Sequence, residues 1–483
     1  MLNILEFCVE DKYSIVESLK VIDQNTHGIA FVVDASGRLC GSLSDGDIRR
    51  ALIRGAEKNS PILDIYNRNV VSLHYKSFDS DIQQLLSDKV KIVPLVDDDG
   101  VIKDIASNLH LHNFSIMEPL LGGRELEYVT DCIKTNWISS QGKYVSNFEK
   151  NLAKKLGVPH CLVTSNGTTA LHLALTTLDI GIGDEVIVPN LTFGASVNSI
   201  IHSGAMPVLV DVEYGSWNLS PSSVRSAITP KTKAIMPVHL YGNPCDMNAI
   251  MSIAREFNLK IIEDCAEAFC SSINGRAVGS FGDAAAFSFF ANKIITCGEG
   301  GAVVFKDISN DNKARMLRDH GMSKSKKFWH EEVGYNYRLT NIQAAIGCAQ
   351  LEQVDYFIKR RMEIFEIYDS LLLASGLIER QKQDPKNINA NWLYTFCLKK
   401  DLRLSRDNLI DALKSCGIET RPVFYPMNQM PSFSMAKSTA SLNVSIDISY
   451  RGLSIPSAVT LEDDEVKYIS NKILRLIEDS NIC

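Results

Sequence analysis

The sequence predicts an α/β protein whose largest domain is built on a mainly parallel sheet. Its length of 483 residues exceeds that of one ordinary domain. From about residue 116 to 375, nearly continuous apolar strands alternate with helices, as in a parallel sheet covered on both faces. The residues before this region contain a repeat of strand, turn, strand and helix, and those after it mix helix and strand. We therefore expect an α/β tandem at 1–112, a large domain at 116–375 and a small α+β lobe at 376–483.

Composition narrows the function classes. A net charge of -7 disfavours a broad nucleic-acid-binding surface. The twelve cysteines form no C-x-x-C pair and no grouping with zinc-ligand spacing, and several, such as Cys161 and Cys265, lie inside apolar runs. No apolar run is long enough to span a bilayer. The sequence thus predicts a reduced, cytoplasmic protein with no metal site, no nucleic-acid partner and no membrane partner.

The N-terminal repeat pairs residues 29–52 with a weaker copy at 91–111, and such repeats commonly bury their apolar faces on each other. Chance similarity of two short α/β units is the alternative. In the first copy, Gly41–Asp47 reads as a strand that ends in Ser44, with Asp47 three positions later. The repeat thereby resembles a tandem of cystathionine-β-synthase-type (CBS) modules. The resemblance implies that Ser44 and Asp47 hold the ribose of a regulatory nucleotide.

Other interpretations of the tandem stay open. Ser44 can instead cap a helix that begins near Asp47. The second copy carries Ser107 and His110 in the corresponding places, which departs from the pattern. The whole tandem can also be a structural or dimerisation unit.

In two stretches of the large domain, a predicted strand is followed by polar groups that can bind a ligand carrying a phosphate and a ring nitrogen. In the first, a strand leads into Gly167, Thr168 and Thr169 at the start of a helix, where free backbone N–H groups and hydroxyls can bind phosphate. In the second, a buried strand ends in Asp264, followed by Glu267, and a carboxylate there can pair with a protonated pyridine nitrogen. For both stretches the alternative is a helix cap.

A third stretch, Phe287–Gly301, places Lys293 among apolar residues and glycines. Burial lowers the pKa of a lysine, so that its amine becomes a nucleophile near neutral pH. Ser288 can donate to a phosphate, and the Gly-Glu-Gly-Gly turn permits close approach of the backbone. A lysine that snorkels to the surface is the alternative. A fourth stretch, Gly334–Ala345, is a polar, aromatic loop that leads into a helix capped by Thr340 or Asn341.

Together these four stretches resemble the DegT/StrS-type nucleotide-sugar aminotransferases, which are fold-type I pyridoxal 5′-phosphate (PLP) enzymes. The resemblance covers Glu118 to Asn481. It implies that Lys293 is the lysine that binds PLP covalently, that Asp264 binds the pyridine nitrogen, and that Glu267 faces O3′ of the ring. Many relatives have Gln in the place of Glu267.

The same resemblance implies further cofactor contacts. Phe193 would stack on the ring, and Thr168, Thr169 and Ser288 would hold the phosphate. Asn336 would reach the cofactor phosphate of the neighbouring subunit. That last role implies a homodimer with shared active sites.

The implied reaction takes an amino group from an amino-acid donor, in this family usually glutamate, and passes it to a keto sugar. A GDP- or UDP-linked 4-keto-6-deoxy sugar is the expected substrate, in bacterial surface-glycan synthesis such as that of lipopolysaccharide. Residues 417–427 are similar to the corresponding stretch of GDP-perosamine synthases and other members that aminate C4. Arg421 would meet the diphosphate, with a surface salt bridge as the alternative. Tyr425 and Asn428 would lie at the substrate, and Asn428 stands where many relatives have His.

Three other functions remain as alternatives. The tandem can be a nucleotide sensor for which the PLP domain is only a scaffold, or it can bind a nucleotide and tune the enzyme. The PLP domain can also catalyse other chemistry, such as dehydration or oxidation at the sugar, but dehydratase relatives carry His in place of the lysine, and Lys293 argues against dehydration.

Overall fold

A computed structural model describes residues 4–75, 77, 79–87, 90–107, 113–439 and 441–482. The chain forms two compact units. The first comprises Met1–Phe114, Asp411–Ile418 and Asp463–Asp479, and the second comprises Ser115–Ile410, Glu419–Glu462 and Ser480–Cys483. Among the described helices, none has the length and apolar character needed to cross a membrane.

The first unit contains two three-stranded sheets, each with one long strand pair. The first sheet and its helices are β1 (Cys8–Glu10), α1 (Ile15–Asn25), β2 (Ile29–Val33), β3 (Leu39–Ser44) and α2 (Asp45–Ile53). The second sheet and its helix are β4 (Leu73–His74), α3 (Asp79–Leu85), β5 (Ile92–Val96) and β6 (Ile102–Ser107).

The two sheets repeat one topology. In each, the first strand pairs parallel with the second, and the second pairs antiparallel with the third. Each hairpin has a register shift at its corresponding position, and Asp34 and Asp97 each accept two backbone N–H groups across the turn. Arg38 and Val101, at equivalent places in the two turns, form an antiparallel bridge with each other. The predicted repeat of strand, turn and strand is confirmed in the topology of the two sheets, and chance similarity of the two copies stays the alternative.

The second unit is organised around an eight-stranded sheet. In spatial order its strands are β20 (Lys437–Ser438), β9 (Met206–Val210), β8 (Glu185–Pro189), β10 (Thr232–Ile235), β11 (Lys260–Asp264), β14 (Ala284–Ser288), β15 (Gly301–Phe305) and β7 (His160–Thr164). All neighbours are parallel except at β15, which is antiparallel to both β14 and β7. The prediction of a mainly parallel sheet is confirmed.

Helices cover both faces of this sheet. They are α4 (Glu125–Lys134), α5 (Lys143–Leu156), α6 (Gly167–Thr177), α7 (Gly194–His202), α8 (Pro221–Ala227), α9 (Met247–Phe257), α10 (Ile308–Arg318), α11 (Asn341–Glu352) and α12 (Val354–Tyr368). Alternate residues of one strand belong to different buried clusters, as Ile187 does to one and Val186 and Val188 to the other. Since successive side chains of a strand point to opposite faces, each face has its own core.

The remaining elements form an antiparallel lobe and a small sheet. The lobe has strands β16 (Ile378–Glu379), β18 (Tyr394–Leu398), β21 (Gly452–Ile455) and β19 (Arg421–Pro422), and the small sheet has β13 (Arg276–Ala277), β12 (Ser272–Ile273) and β17 (Asn387–Ile388). The last helices are α13 (Arg406–Ser415), α14 (Asn443–Arg451) and α15 (Asp463–Ile482). Strands β17 and β20 come from beyond residue 375 yet join sheets whose other strands precede it. The domain limits 1–112, 116–375 and 376–483 stay predictions.

Candidate active site

A cavity of about 670 Å³ in the second unit gathers most of the predicted site residues. It lies where β11 and β14 end and α6 begins, the edge of an open α/β sheet at which ligands bind. The predicted residues that line it are Thr168, Thr169, Phe193, Asp264, Glu267, Ser288, Lys293 and Arg421. Three of the four sequence stretches thus supply predicted residues to one cavity.

One end of the cavity is the start of α6. Asn166 caps this helix, because its side chain accepts the Thr169 N–H at 2.9 Å, and the Thr169 hydroxyl donates to the Asn166 carbonyl at 2.9 Å. The Thr169 hydroxyl therefore belongs to the cap. A Cβ added to Gly167 would lie 2.9 Å from the Cβ of Ser288, so only glycine allows the helix start to approach the end of β14. Thr168, Ser288 and the free N–H groups of the helix form this end.

Two buried carboxylates lie in the cavity wall. Asp264, the last residue of β11, accepts a hydrogen bond from the Ser196 hydroxyl at 2.7 Å and one from the Ala266 N–H at 3.1 Å. Burial raises the pKa of Asp264, although these hydrogen bonds and the charge of Lys293 oppose the shift. Glu267 accepts the Tyr241 N–H at 2.7 Å, and burial raises the pKa of Glu267 to about 7.

Lys293 lies in the cavity lining and not on the outer surface. Burial lowers the pKa of Lys293, and the neighbouring Arg421 acts in the same direction, whereas Glu267 and Asp264 act against it. Its Nζ lies 3.6 Å from the ring centroid of Trp392. An amine with a lowered pKa beside two carboxylates is suited to nucleophilic attack and to proton transfer.

A buried hydrogen-bond network braces the strand that carries Asp264. The carboxylate of Glu263 accepts N–H groups from Gly279 at 2.8 Å, Phe281 at 2.8 Å and Gly282 at 2.6 Å, and lies 3.1 Å from Nε2 of His239. Nδ1 of His239 accepts the Cys245 N–H at 3.0 Å, so the proton of this imidazole is on Nε2.

The same network contains a cluster of metal-ligand types. His239, Glu263 and Cys265 present ligand atoms within 4.8 Å of one another. The carboxylate and the imidazole already have hydrogen-bond partners on both of their polar atoms. This cluster therefore positions the end of β11.

Three predicted residues lie outside the cavity lining. Asn336 is exposed, and its side-chain oxygen accepts a hydrogen bond from Arg338 at 3.1 Å. Tyr425 is 50% exposed, with the Arg406 guanidinium 5.8 Å from its ring. Asn428 makes two hydrogen bonds with Asn190, at 3.0 and 2.9 Å.

Arg421 lies in the cavity lining and also forms the predicted salt bridge, and its diphosphate role stays a prediction. It lines the cavity, as a diphosphate-binding residue would. Its guanidinium also lies 3.7 Å from the carboxylate of Glu419, in an exposed pair. A pair at this exposure contributes little to stability, so the arginine can exchange that partner for a ligand.

Several lining residues were not predicted from the sequence. They are Asn166, His172, Thr192, His202, Asn292, Glu299, Tyr337, Trp392 and Phe424. Asn292 could have been predicted from the sequence because it precedes Lys293. Its buried Oδ1 has no hydrogen-bond partner among the described residues. Trp392 could not be identified from the stretch around Lys293, because the two residues are about 100 positions apart in the sequence and meet only in the folded chain.

In the tandem, Ser44 caps α2, which begins at Asp45. Its hydroxyl donates to Asp47 at 2.6 Å and accepts the Asp47 N–H at 3.2 Å, and Arg50 lies 2.6 Å from the same carboxylate. The helix-cap interpretation is thus confirmed, and the ribose-binding role stays a prediction. Ser107 is the last residue of β6, and His110 lies outside the described residues.

Comparison with known proteins decides the family. The model of the DegT/DnrJ/EryC1/StrS aminotransferase family matches residues 119–474, more than half of the chain. The chain belongs to this aminotransferase family. The predicted enzyme class, an aminotransferase, is therefore confirmed. A CBS domain model matches residues 6–54, which contain the first copy of the repeat.

This aminotransferase matches its relatives over nearly the whole length of each relative. It is 44% identical over 366 residues to a GDP-perosamine synthase of Escherichia coli O157:H7, which covers 75% of this chain and 98% of that protein. A GDP-perosamine synthase of Caulobacter vibrioides is 45% identical over 357 residues, 74% of this chain and 96% of that protein. The crystal structure of S. venezuelae DesV in complex with a ketimine intermediate has a TM-score of 0.69 and 33% identity, over 74% of this chain and 94% of that one. The predicted fold class is confirmed.

Proposed function

We propose that this aminotransferase binds PLP at Lys293 and transfers an amino group from glutamate to a nucleotide-linked 4-keto-6-deoxy sugar. The observation that carries the proposal is the convergence of Lys293, Asp264 and Glu267 in one cavity. The amine has a depressed pKa, and the acids are buried within reach of its charge.

The residues present fit PLP. A phosphate would meet the start of α6, where Gly167 allows Ser288 to approach and backbone N–H groups are free. A protonated pyridine nitrogen would meet the buried carboxylate of Asp264, which forms no salt bridge with any described residue. Phe193, 61% exposed and at the cavity wall, would cover one face of the ring. The buried, unpaired oxygen of Asn292 is a further acceptor.

Bound PLP supplies an electron sink that stabilises negative charge on the carbon next to the reacting nitrogen. Asp264 holds a proton on the pyridine nitrogen, and Ser196 and the Ala266 N–H fix its carboxylate. Lys293 provides the covalent attachment and, as a free amine, moves a proton at the reacting carbon of the donor. Glu267 lies close enough to raise the pKa of that amine. The backbone N–H of Tyr241 holds the Glu267 carboxylate in place.

The substrate is a GDP- or UDP-linked sugar. Similarity to GDP-perosamine synthases at 44–45% identity supports a GDP-linked sugar, and a role in a bacterial surface glycan stays a prediction. Arg421 in the cavity suits a diphosphate, because a guanidinium matches phosphate geometry. Tyr425 and Asn428, outside the lining, remain predicted substrate residues only.

The active form is a homodimer that shares its active sites. Asn336 is exposed and does not line the cavity of its own subunit, as expected of a residue that serves the partner subunit. Large apolar side chains are exposed on α4, on the segment after it and on the loop before Asn336: Leu126 (80%), Ile133 (59%), Trp137 (56%), Phe328 (77%) and Val333 (91%). Exposed apolar surface of this kind is typical of a subunit interface.

Two alternatives are weaker. A domain that serves only as a scaffold for a nucleotide sensor does not need a lysine, two acids and a phosphate-binding helix start in one cavity. All of these are present in this cavity. A dehydratase is disfavoured by Lys293. Binding of a regulatory nucleotide at Ser44 and Asp47 stays a prediction, supported by the CBS match at 6–54. The cytoplasmic location also stays a prediction.

Product analysis tests the substrate. The enzyme is incubated with ¹⁵N-glutamate and either the GDP- or the UDP-linked 4-keto-6-deoxyhexose, and products are separated and weighed by mass spectrometry. We expect the label in an amino sugar from one of the two nucleotides, and none with Lys293→Ala. Loss of water without glutamate, or no turnover of either sugar, would contradict the proposal.

A further inference from the structure

The side chain of Trp392 contacts the amino group of Lys293. Nζ lies 3.6 Å from the ring centroid, well inside the distance at which an ammonium is attracted to the face of an indole. Trp392 is 3% exposed, and both side chains line the cavity. Of the described aromatic rings, this is the one paired with the Lys293 amine.

The indole is held on several sides. Its Nε1–H donates to the carbonyl of Asn292 at 2.6 Å, so it is fixed by the segment that carries the lysine. The ring of Tyr241 stacks on it with a centroid distance of 6.0 Å and an interplanar angle of 16°. The backbone of Trp392 is also fixed, because its carbonyl accepts a hydrogen bond at 2.9 Å from Arg361, which is 2% exposed. Rotation of the ring away from Lys293 would break the hydrogen bond to Asn292 and the contact with Tyr241.

We propose that Trp392 is a positioning residue, which holds the Lys293 amino group at one place in the cavity whenever that group is free. The inference rests on the proposed function, in which the amine has two tasks, covalent attachment and proton transfer. A lysine has a flexible four-carbon stem, so its free amine would otherwise sample many positions. A rigid ring face restricts it and favours its protonated form.

The role separates from cofactor binding. The phosphate end of the cavity is formed by α6 and Ser288, which are not among the described contacts of Trp392. Loss of the ring should therefore leave the contacts with the PLP phosphate unchanged. It should change the protonation of Lys293 and the rate of proton transfer.

The first experiment measures Lys293 in the full chain without added cofactor. Its acetylation by acetic anhydride is followed from pH 6 to 11 by peptide mass spectrometry, in wild type, Trp392→Leu and Trp392→Phe. We expect the midpoint to fall by about half to one pH unit in Trp392→Leu and by less in Trp392→Phe, which keeps a ring. Tyr337→Leu removes a ring of the cavity whose described ring contacts are with His172 and Tyr335, and it should leave the midpoint unchanged. A midpoint that is unchanged or higher in Trp392→Leu would overturn the proposal.

The second experiment uses the holoenzyme. Single turnovers are followed with glutamate and with glutamate deuterated at the reacting carbon. Trp392→Leu should slow the reaction about tenfold and increase the isotope effect, because the misplaced amine makes proton transfer limiting. An unchanged rate and isotope effect in a variant that binds PLP as wild type does would refute the role. Wild-type protein that reacts with neither PLP nor glutamate would instead refute the proposed function.

Discussion

Lys293 is placed between opposing influences on its charge. Burial and Arg421 lower the pKa of its amine, whereas Glu267 and Asp264 raise it. Burial acts on the two acids in the opposite sense, and raises the pKa of each. All three groups are thus shifted toward their neutral forms. A lowered pKa of the amine suits a residue with both a nucleophilic and a proton-transfer task.

The raised pKa of Glu267 gives a prediction on stability. The unfolded chain releases this proton near pH 4.5 and the folded protein near pH 7. Between these values the folded state holds more protons, so stability without cofactor falls as the pH rises from about 4.5 to about 7. In Glu267→Gln this contribution to the fall, on the order of 1–3 kcal/mol, should disappear. Urea unfolding of both proteins at pH 5 and pH 7.5 measures it, and equal slopes with pH would contradict the assignment.

The residues that sequence could identify are those at the ends of strands. Asp264 and Ser288 end apolar runs, and Lys293 follows one, so periodicity and composition place all three at one edge of a sheet. Trp392 and Tyr241 could not be found in this way. Their contacts with the lysine and with Glu267 join distant parts of the chain, and neither is preceded by a pattern that indicates a site.

At the scale of elements, the site depends on the close approach of α6 to β14. Gly167 makes this approach possible, because a Cβ there would lie 2.9 Å from the Cβ of Ser288. The clash is with an atom next to the backbone, so a rotamer change cannot relieve it. One of the two elements would have to move.

Gly167→Ala should therefore weaken PLP binding by about 1–3 kcal/mol, or roughly fivefold to 150-fold in Kd. Titration of the protein with PLP, followed by absorbance, measures the affinity. Gly122→Ala is the matched control, since a Cβ there makes only ordinary contacts, at 3.7 Å or more with Leu120. Equal affinities in the two variants would show that the approach of α6 to Ser288 does not form the phosphate site.

The sheet itself was largely predictable, and its exceptions have physical reasons. Fully buried strands leave continuous apolar runs, which is why the parallel core could be recognised. The antiparallel direction of β15 leaves no such mark, because direction is not written in composition. Strand β20 has only two residues, both exposed, too few for any periodicity. The cap of α11 was predicted as Thr340 or Asn341, and the structure selects Thr340 through its bond with the Gln343 N–H.

At the scale of the whole molecule, the shared active site can be tested by subunit mixing. Lys293→Ala and Asn336→Ala are prepared separately, then unfolded together and refolded to form hybrids. If Asn336 serves the partner subunit, each hybrid has one intact site, formed by Lys293 of one subunit and Asn336 of the other. Activity should then exceed that of either variant refolded alone.

The control is a mixture of Lys293→Ala with the double variant, in which no intact site can form. Without recovery in the first mixture, Asn336 would act within its own subunit or not at all. The N-terminal unit is present in every subunit of both mixtures, so it cannot account for a difference between them.

The central claim is that Lys293 binds PLP and that the enzyme accepts an amino group from glutamate. The most direct measurement is the absorbance spectrum of the holoenzyme, before and after glutamate. We predict a visible band from the lysine-bound cofactor, a shift to the shorter-wavelength band of pyridoxamine phosphate on addition of glutamate, and no visible band in Lys293→Ala. A wild-type protein that stays colourless with excess PLP would contradict the account, as would a visible band that survives the loss of Lys293.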